Sequence, residues 1–199
     1  MALVLSPARV HTELARGYPA SSAQTDMATA VRTALRELWT RTKQDKQSPP
    51  PPLKLAVLTP YVAEVHEQAL EFVRSTGSEV VQIVAQRSLN LETDSLVSSV
   101  SPRCISQCAR ALATEAAETL GAPPDVVFVS CSAFHSTGPG FIDSVEQCLE
   151  EDLSSTPGPA VLTSNQALMW HLLRNCSGGA VEERELRAVR GYGRLFSGL

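Results

Sequence analysis

The chain has 199 residues, 43% of them hydrophobic, with a net charge of −4 and a pI near 5.6. That length supports one domain with a sizeable core, while the acidic balance and the 5% aromatic content speak against a nucleic-acid partner. No apolar run approaches the roughly 18 residues of a transmembrane helix, Met1 to Pro7 lacks the basic and apolar regions of a signal peptide, and five scattered cysteines read as reduced thiols, so a cytoplasmic protein without membrane contact is expected.

Residues 1–20, punctuated by Pro7, Gly17 and Pro19, read as irregular. N-cap candidates in Ser21 to Asp26 precede Met27, Val31, Leu35 and Leu38, whose spacing predicts a helix over 24–43 packed through its Met27, Val31 and Leu35 face. Residues 44–52, ending in Pro49-Pro-Pro-Pro52, are expected to be an exposed linker. A proline-recognition ligand is the other reading of that run. Leu53 to Leu58 predicts a buried strand, followed at once by Thr59-Pro60-Tyr61. Val62 to Ser75 predicts a helix with Val65, Ala69 and Phe72 on one face, closed by Gly77.

Glu79 to Val84 predicts a second strand, and residues 86–102 a long polar connection containing Asn90 and Asp94. Pro102 or Arg103 opens a helix to about Leu120, closed by Gly121. Val126 to Ser130 predicts a third strand, apolar enough to be covered on both faces. Phe141 to Glu151 predicts a short helix, and Ala160 to Thr163 a fourth strand. Ser164 is expected to cap a helix through Met169 and Trp170 to about Arg174. Strands alternating with helices define an α/β fold, a doubly wound four-stranded parallel sheet with an extra N-terminal helix.

In such sheets ligands bind outside the carboxyl ends of the strands. Those ends carry Thr59-Pro60-Tyr61, Gln86 to Asn90, Ser130-Cys131-Ser132 and Thr163-Ser164-Asn165, which gathers hydroxyls, amides and a thiol on one edge. Cys131 is there a nucleophile or proton-transfer group, or else a small core residue. His135 is a proton carrier beside it or a solvated loop residue. Cys104 and Cys108 lie one helical turn apart without further ligands, which suits helix packing better than zinc; no metal site is expected. Asn175-Cys-Ser177 matches a glycosylation sequon of no consequence without secretion, and Glu150-Glu151-Asp152 reads as a solvated helix end.

Thr59-Pro60-Tyr61, Val129-Ser-Cys131-Ser-Ala133 and Leu162-Thr-Ser-Asn-Gln-Ala167 with Trp170 and Leu173-Arg174 resemble the second lobe of maleate cis-trans isomerases. These belong, with arylmalonate decarboxylase, to the aspartate/glutamate racemase superfamily. The resemblance covers roughly residues 53–195, including Gly191-Tyr-Gly-Arg-Leu195. It implies a racemase-like α/β lobe over 53–199, and a first-lobe remnant with linker over 1–52. It implies two lobes around a small carboxylate, usually with a cysteine from each, and no cofactor. Matched by motif, Cys131 is the catalytic thiolate and Tyr61 a catalytic hydroxyl, with Thr59, Asn90, Ser132 and Asn165 binding the substrate. A first-lobe cysteine has no counterpart before Leu53.

The resulting expectation is a cofactor-independent isomerase, racemase or decarboxylase of a small carboxylate. The alternative is a carboxylate-binding or partner-subunit protein impaired in turnover; a homo-oligomer is left open. A thiolate that is ionised and reachable should be alkylated faster than Cys104, Cys108 or Cys148.

Overall fold

The computed structural model describes residues 26–43, 50–135, 138–176 and 189–197. The expected irregular stretch over 1–20, the expected helix start at 24–25 and the expected linker over 44–49 lie outside them. The described elements run α1 Met27–Lys43, β1 Leu53–Thr59, α2 Ala63–Arg74, β2 Val81–Ser88, α3 Asp94–Ser99, α4 Pro102–Leu120, β3 Val126–Val129, α5 Phe141–Asp152, β4 Ala160–Thr163, α6 Ser164–Cys176 and α7 Arg194–Ser197.

The four strands form one sheet in the order β2-β1-β3-β4, every pair parallel. The two-residue period of a strand sends alternate side chains to opposite faces. Leu53, Leu55, Val57, Val126, Phe128, Ala160 and Leu162 pack with α1, α2, α6 and α7. Ala56, Leu58, Val127, Val129 and Val161 pack with α3, α4 and α5. Helices thus cover both faces, and β1, β3 and β4 are almost wholly apolar because neither face meets water.

Helix boundaries follow local chemistry. The Ser101 hydroxyl accepts from the Cys104 N–H, Pro102 opens α4, and Gly121 ends it in the left-handed region at φ 68°. In α1 the buried stripe is Ala30, Val31, Ala34, Leu35 and Leu38, with Met27 only partly covered at its end. The Trp39 indole donates to the Pro51 carbonyl.

The structure corrects four boundary expectations. The second strand starts at Val81 and continues through Gln86-Arg87-Ser88, which the sequence analysis placed in a loop. β2 is an edge strand, where polar residues face water without cost, and a bulge between Leu55 and Ala56 shifts its register. The long polar connection contains the short helix α3, capped by the Thr93 hydroxyl on the Leu96 N–H. The buried face of α2 is His66, Ala69, Leu70 and Val73, one position off the predicted Val65 and Phe72. Finally, Thr163 rather than Ser164 caps α6. Its hydroxyl accepts from the Gln166 N–H at 3.1 Å while the Gln166 carbonyl oxygen accepts from the Thr163 N–H at 3.0 Å, a reciprocal capping box.

The chain's last described segment is clasped by α5 and α6. Asp143 accepts from the Gly193 N–H, and buried Glu146 accepts from the N–H groups of Val161 and Arg194. The Arg194 guanidinium bonds the Glu150 carboxylate and the Gly158 carbonyl. The Gln166 amide donates to the Tyr192 carbonyl, and the Gly140 N–H to the Gly191 carbonyl. Gly191 is needed: at φ 88°, a Cβ there would lie 2.8 Å from the Gly140 nitrogen. The acidic cluster at the end of α5 is therefore not merely solvated. Glu150 holds Arg194, and Asp152 forms a two-point pair with Arg110.

Candidate functional site

β1 is followed through α2 by β2 on one side and lies against β3 on the other, so the chain's winding reverses between β1 and β3. The carboxyl ends flanking such a switch point form the crevice where open α/β sheets bind ligands. At this one stand Thr59-Pro60-Tyr61 and Ser130-Cys131. Sheet bonding runs to the rim: the Ser130 N–H donates to the Leu58 carbonyl, the Leu89 N–H to that of Thr59, and the Leu91 N–H to that of Pro60. The Ser88 hydroxyl bonds the Tyr61 carbonyl, fixing the turn from the β2 side.

Cys131 continues the parity of Val127 and Val129 and belongs to the apolar cluster with Phe134, Val97 and Ile105. It is 4% exposed. The Ala133 N–H donates to its sulfur at 3.3 Å, and the Phe134 N–H and the Tyr61 hydroxyl also favour its thiolate form. Burial pushes the thiol above its ordinary value, and these three donors pull only partly the other way. At neutral pH Cys131 is thus a buried, protonated thiol, not the reachable thiolate expected from the sequence. The Tyr61 phenol is pushed far above its ordinary range by burial, and further by Cys131 and Asp94, so it stays a donor.

The remaining expected residues divide. Ser132 is exposed, and its carbonyl accepts from the Asn165 side-chain amide at 2.9 Å, so Asn165 braces the loop that carries Cys131. Asn90 is exposed in the left-handed region at φ 51°, its N–H bonded to the Ser88 hydroxyl, beside the Pro60 turn. Thr59 has another task. It follows the parity of Leu55 and Val57, toward α2 and away from Cys131, and its fully buried hydroxyl lies 2.8 Å from His66 Nδ1. His135 is exposed.

The sequence pattern hides His66, because the buried face of α2 runs one position further round than Val65 and Phe72 suggest. Burial lowers its pKa, so it is a neutral imidazole partnered by Thr59. Thr59→Val should therefore cost about 1–3 kcal/mol in stability by orphaning a buried ring nitrogen, read as a lower denaturant midpoint. Carboxylate affinity should be retained; an affinity loss without a stability loss would return Thr59 to the ligand.

Fold and site together define a racemase-like α/β lobe with a cysteine and a tyrosine at its switch point. Neither a protein-family model nor a curated protein matches the chain. Its solved structural neighbours are members of the aspartate/glutamate racemase superfamily, the family that the motifs resemble. Unliganded arylmalonate decarboxylase aligns at TM-score 0.55 and 25% identity over 86% of this chain and 59% of its own. Nocardia farcinica maleate cis-trans isomerase, as a cysteine-to-serine mutant with a covalently bound succinylcysteine intermediate, aligns at 0.61 and 19% over 95% and 63%. The maleate isomerase Iso from Pseudomonas putida S16 aligns at 0.56 and 17% over 86% and 54%. The chain spans less than two thirds of the length of each. No helix among the described residues is long and apolar enough to cross a membrane.

Proposed function

We propose that this protein performs cofactor-independent proton transfer at the carbon next to a carboxylate, as an isomerase, racemase or decarboxylase of a small carboxylate, with Cys131 as proton donor. The observation that carries this is the state of the sulfur: a buried, protonated thiol that already accepts from the Ala133 N–H, with the Phe134 N–H and the Tyr61 hydroxyl also favouring its anion. A group of this kind gives its S–H proton to an enediolate carbon. The electron pair left on sulfur is then held by the Ala133 N–H, which already donates to it, and favoured by the Phe134 N–H and the Tyr61 hydroxyl. Addition of a preformed thiolate to a double bond is less well served, because burial disfavours the anion before substrate arrives.

The assay is turnover of maleate, aspartate, glutamate and an arylmalonate without added cofactor. Tyr61→Phe should weaken turnover or carboxylate affinity by the value of one hydrogen bond to a charged group, about 1.5–3 kcal/mol. Unchanged kinetics and binding in that variant would remove Tyr61 from the site. The closed position of Cys131, 4% exposed, also favours a carboxylate-binding protein without turnover. Ligand binding in the absence of any product would decide for that reading.

A further inference from the structure

Asp94 opens α3 three residues before Val97, so the two share a face of that helix. Val97 is buried in the cluster that contains Cys131 and Phe134, with Tyr61 packed against it. The segment leading into α3 is tied to the Tyr61 turn by the Leu91 N–H on the Pro60 carbonyl. The half-buried Asp94 carboxylate is thereby brought up to the Cys131–Tyr61 pair, and its charge raises the pKa of both groups. Among the described residues Asp94 has no ion-pair partner. Among the described residues, the charged group that acts on both Cys131 and Tyr61 is Asp94.

A crevice built to hold a second substrate carboxylate against this pair calls for a cation or a row of free donors. Among the described residues this one offers the Asp94 carboxylate instead. We propose that Asp94 is a specificity-determining residue that disfavours a second carboxylate beside Cys131 and Tyr61, and that the ligand is a monocarboxylate with a neutral or cationic group in that position. The inference rests on the carboxylate site proposed above and narrows its substrate class. Like charges repel in a partly dry site, and a change of roughly an order of magnitude in affinity is within reach of that repulsion.

The test compares maleate with maleamate, which differ by one carboxylate exchanged for a carboxamide. Both are titrated calorimetrically into wild type, Asp94→Asn and Asp94→Glu at neutral pH. Wild type and Asp94→Glu should bind maleamate roughly tenfold more tightly than maleate, and Asp94→Asn should lose or reverse that preference. Alkylation of Cys131 against pH supplies a readout independent of ligand: its midpoint should fall in Asp94→Asn and stay in Asp94→Glu. An equal preference in wild type and Asp94→Asn overturns the assignment of Asp94 alone. Loss of maleamate binding in Tyr61→Phe beside an unchanged preference in Asp94→Asn upholds the carboxylate site and overturns the filter. Absence of binding of both ligands by all three proteins overturns both.

Discussion

Cys131→Ser should lower turnover of any substrate by roughly 10²–10⁴-fold, the span of a positioned general acid, and leave the fold intact. Serine is nearly isosteric with cysteine and its hydroxyl can accept from the Ala133 N–H that now meets the sulfur. It is far less acidic, so it cannot deliver a proton at neutral pH. Rate and melting temperature measured on one preparation separate the two effects. Full activity in the serine variant would return Cys131 to core packing. The thiol's burial also reverses the alkylation order expected from sequence. Exposed Cys104 should react with iodoacetamide well before Cys131 in the unliganded protein.

The second large effect is a pH dependence of stability centred on Glu146. Burial raises its carboxyl from an ordinary 4.5 to about 7, despite the N–H groups of Val161 and Arg194 that lower it. The folded state then binds the proton more tightly than the unfolded chain. Its contribution to stability is complete below about 4.5 and is lost as pH rises through about 7, on the order of 3 kcal/mol across that window. His66 acts in the opposite sense. Its lowered pKa gives stability present above the ordinary 6.5 and lost as pH falls. Glu146→Gln keeps an acceptor for Val161 and Arg194 but cannot titrate, so it should flatten the loss toward alkaline pH and leave the acid limb of His66. Chemical denaturation at pH 5, 6, 7 and 8 reads this directly. Parallel profiles for wild type and variant would show that Glu146 is ionised throughout.

Where the sequence speaks through apolar runs and caps, it speaks plainly. β3 and β4 need only Val126 to Val129 and Ala160 to Thr163 to be recognised, because a strand covered on both faces has no polar alternative. Pro102 and Gly121 delimit α4 by their backbone constraints alone. The place of Cys131 and Tyr61 at one sheet edge is likewise legible, since both follow buried strands. What escaped depends on partners distant in sequence. Gln86 to Ser88 form a strand only because Val57 to Thr59 stand beside them. Six residues of α3 carry too little periodicity to announce a helix, which hid Asp94. Glu146 looks like any acidic helix residue until Val161 and Arg194 close over it. The Thr163–Gln166 box could have been read, as the pattern Thr-x-x-Gln stands in the sequence.

The clasp on residues 190–197 has a consequence for the order in which the site is assembled. All four strands, both groups of the Cys131–Tyr61 pair and the bracing Asn165 have been synthesised by the time the ribosome reaches the end of α6. Domains organise as units while the chain emerges, so the sheet can collapse at that stage. Two anchors come later, because the Gly140 N–H that opens α5 and the Gln166 side-chain amide await the carbonyls of Gly191 and Tyr192. A nascent chain halted at Arg190 carries every chemical group of the site with two of its anchors missing. The sheet and the clasp can thus form in succession, and the later step belongs to residues that follow every strand in the chain.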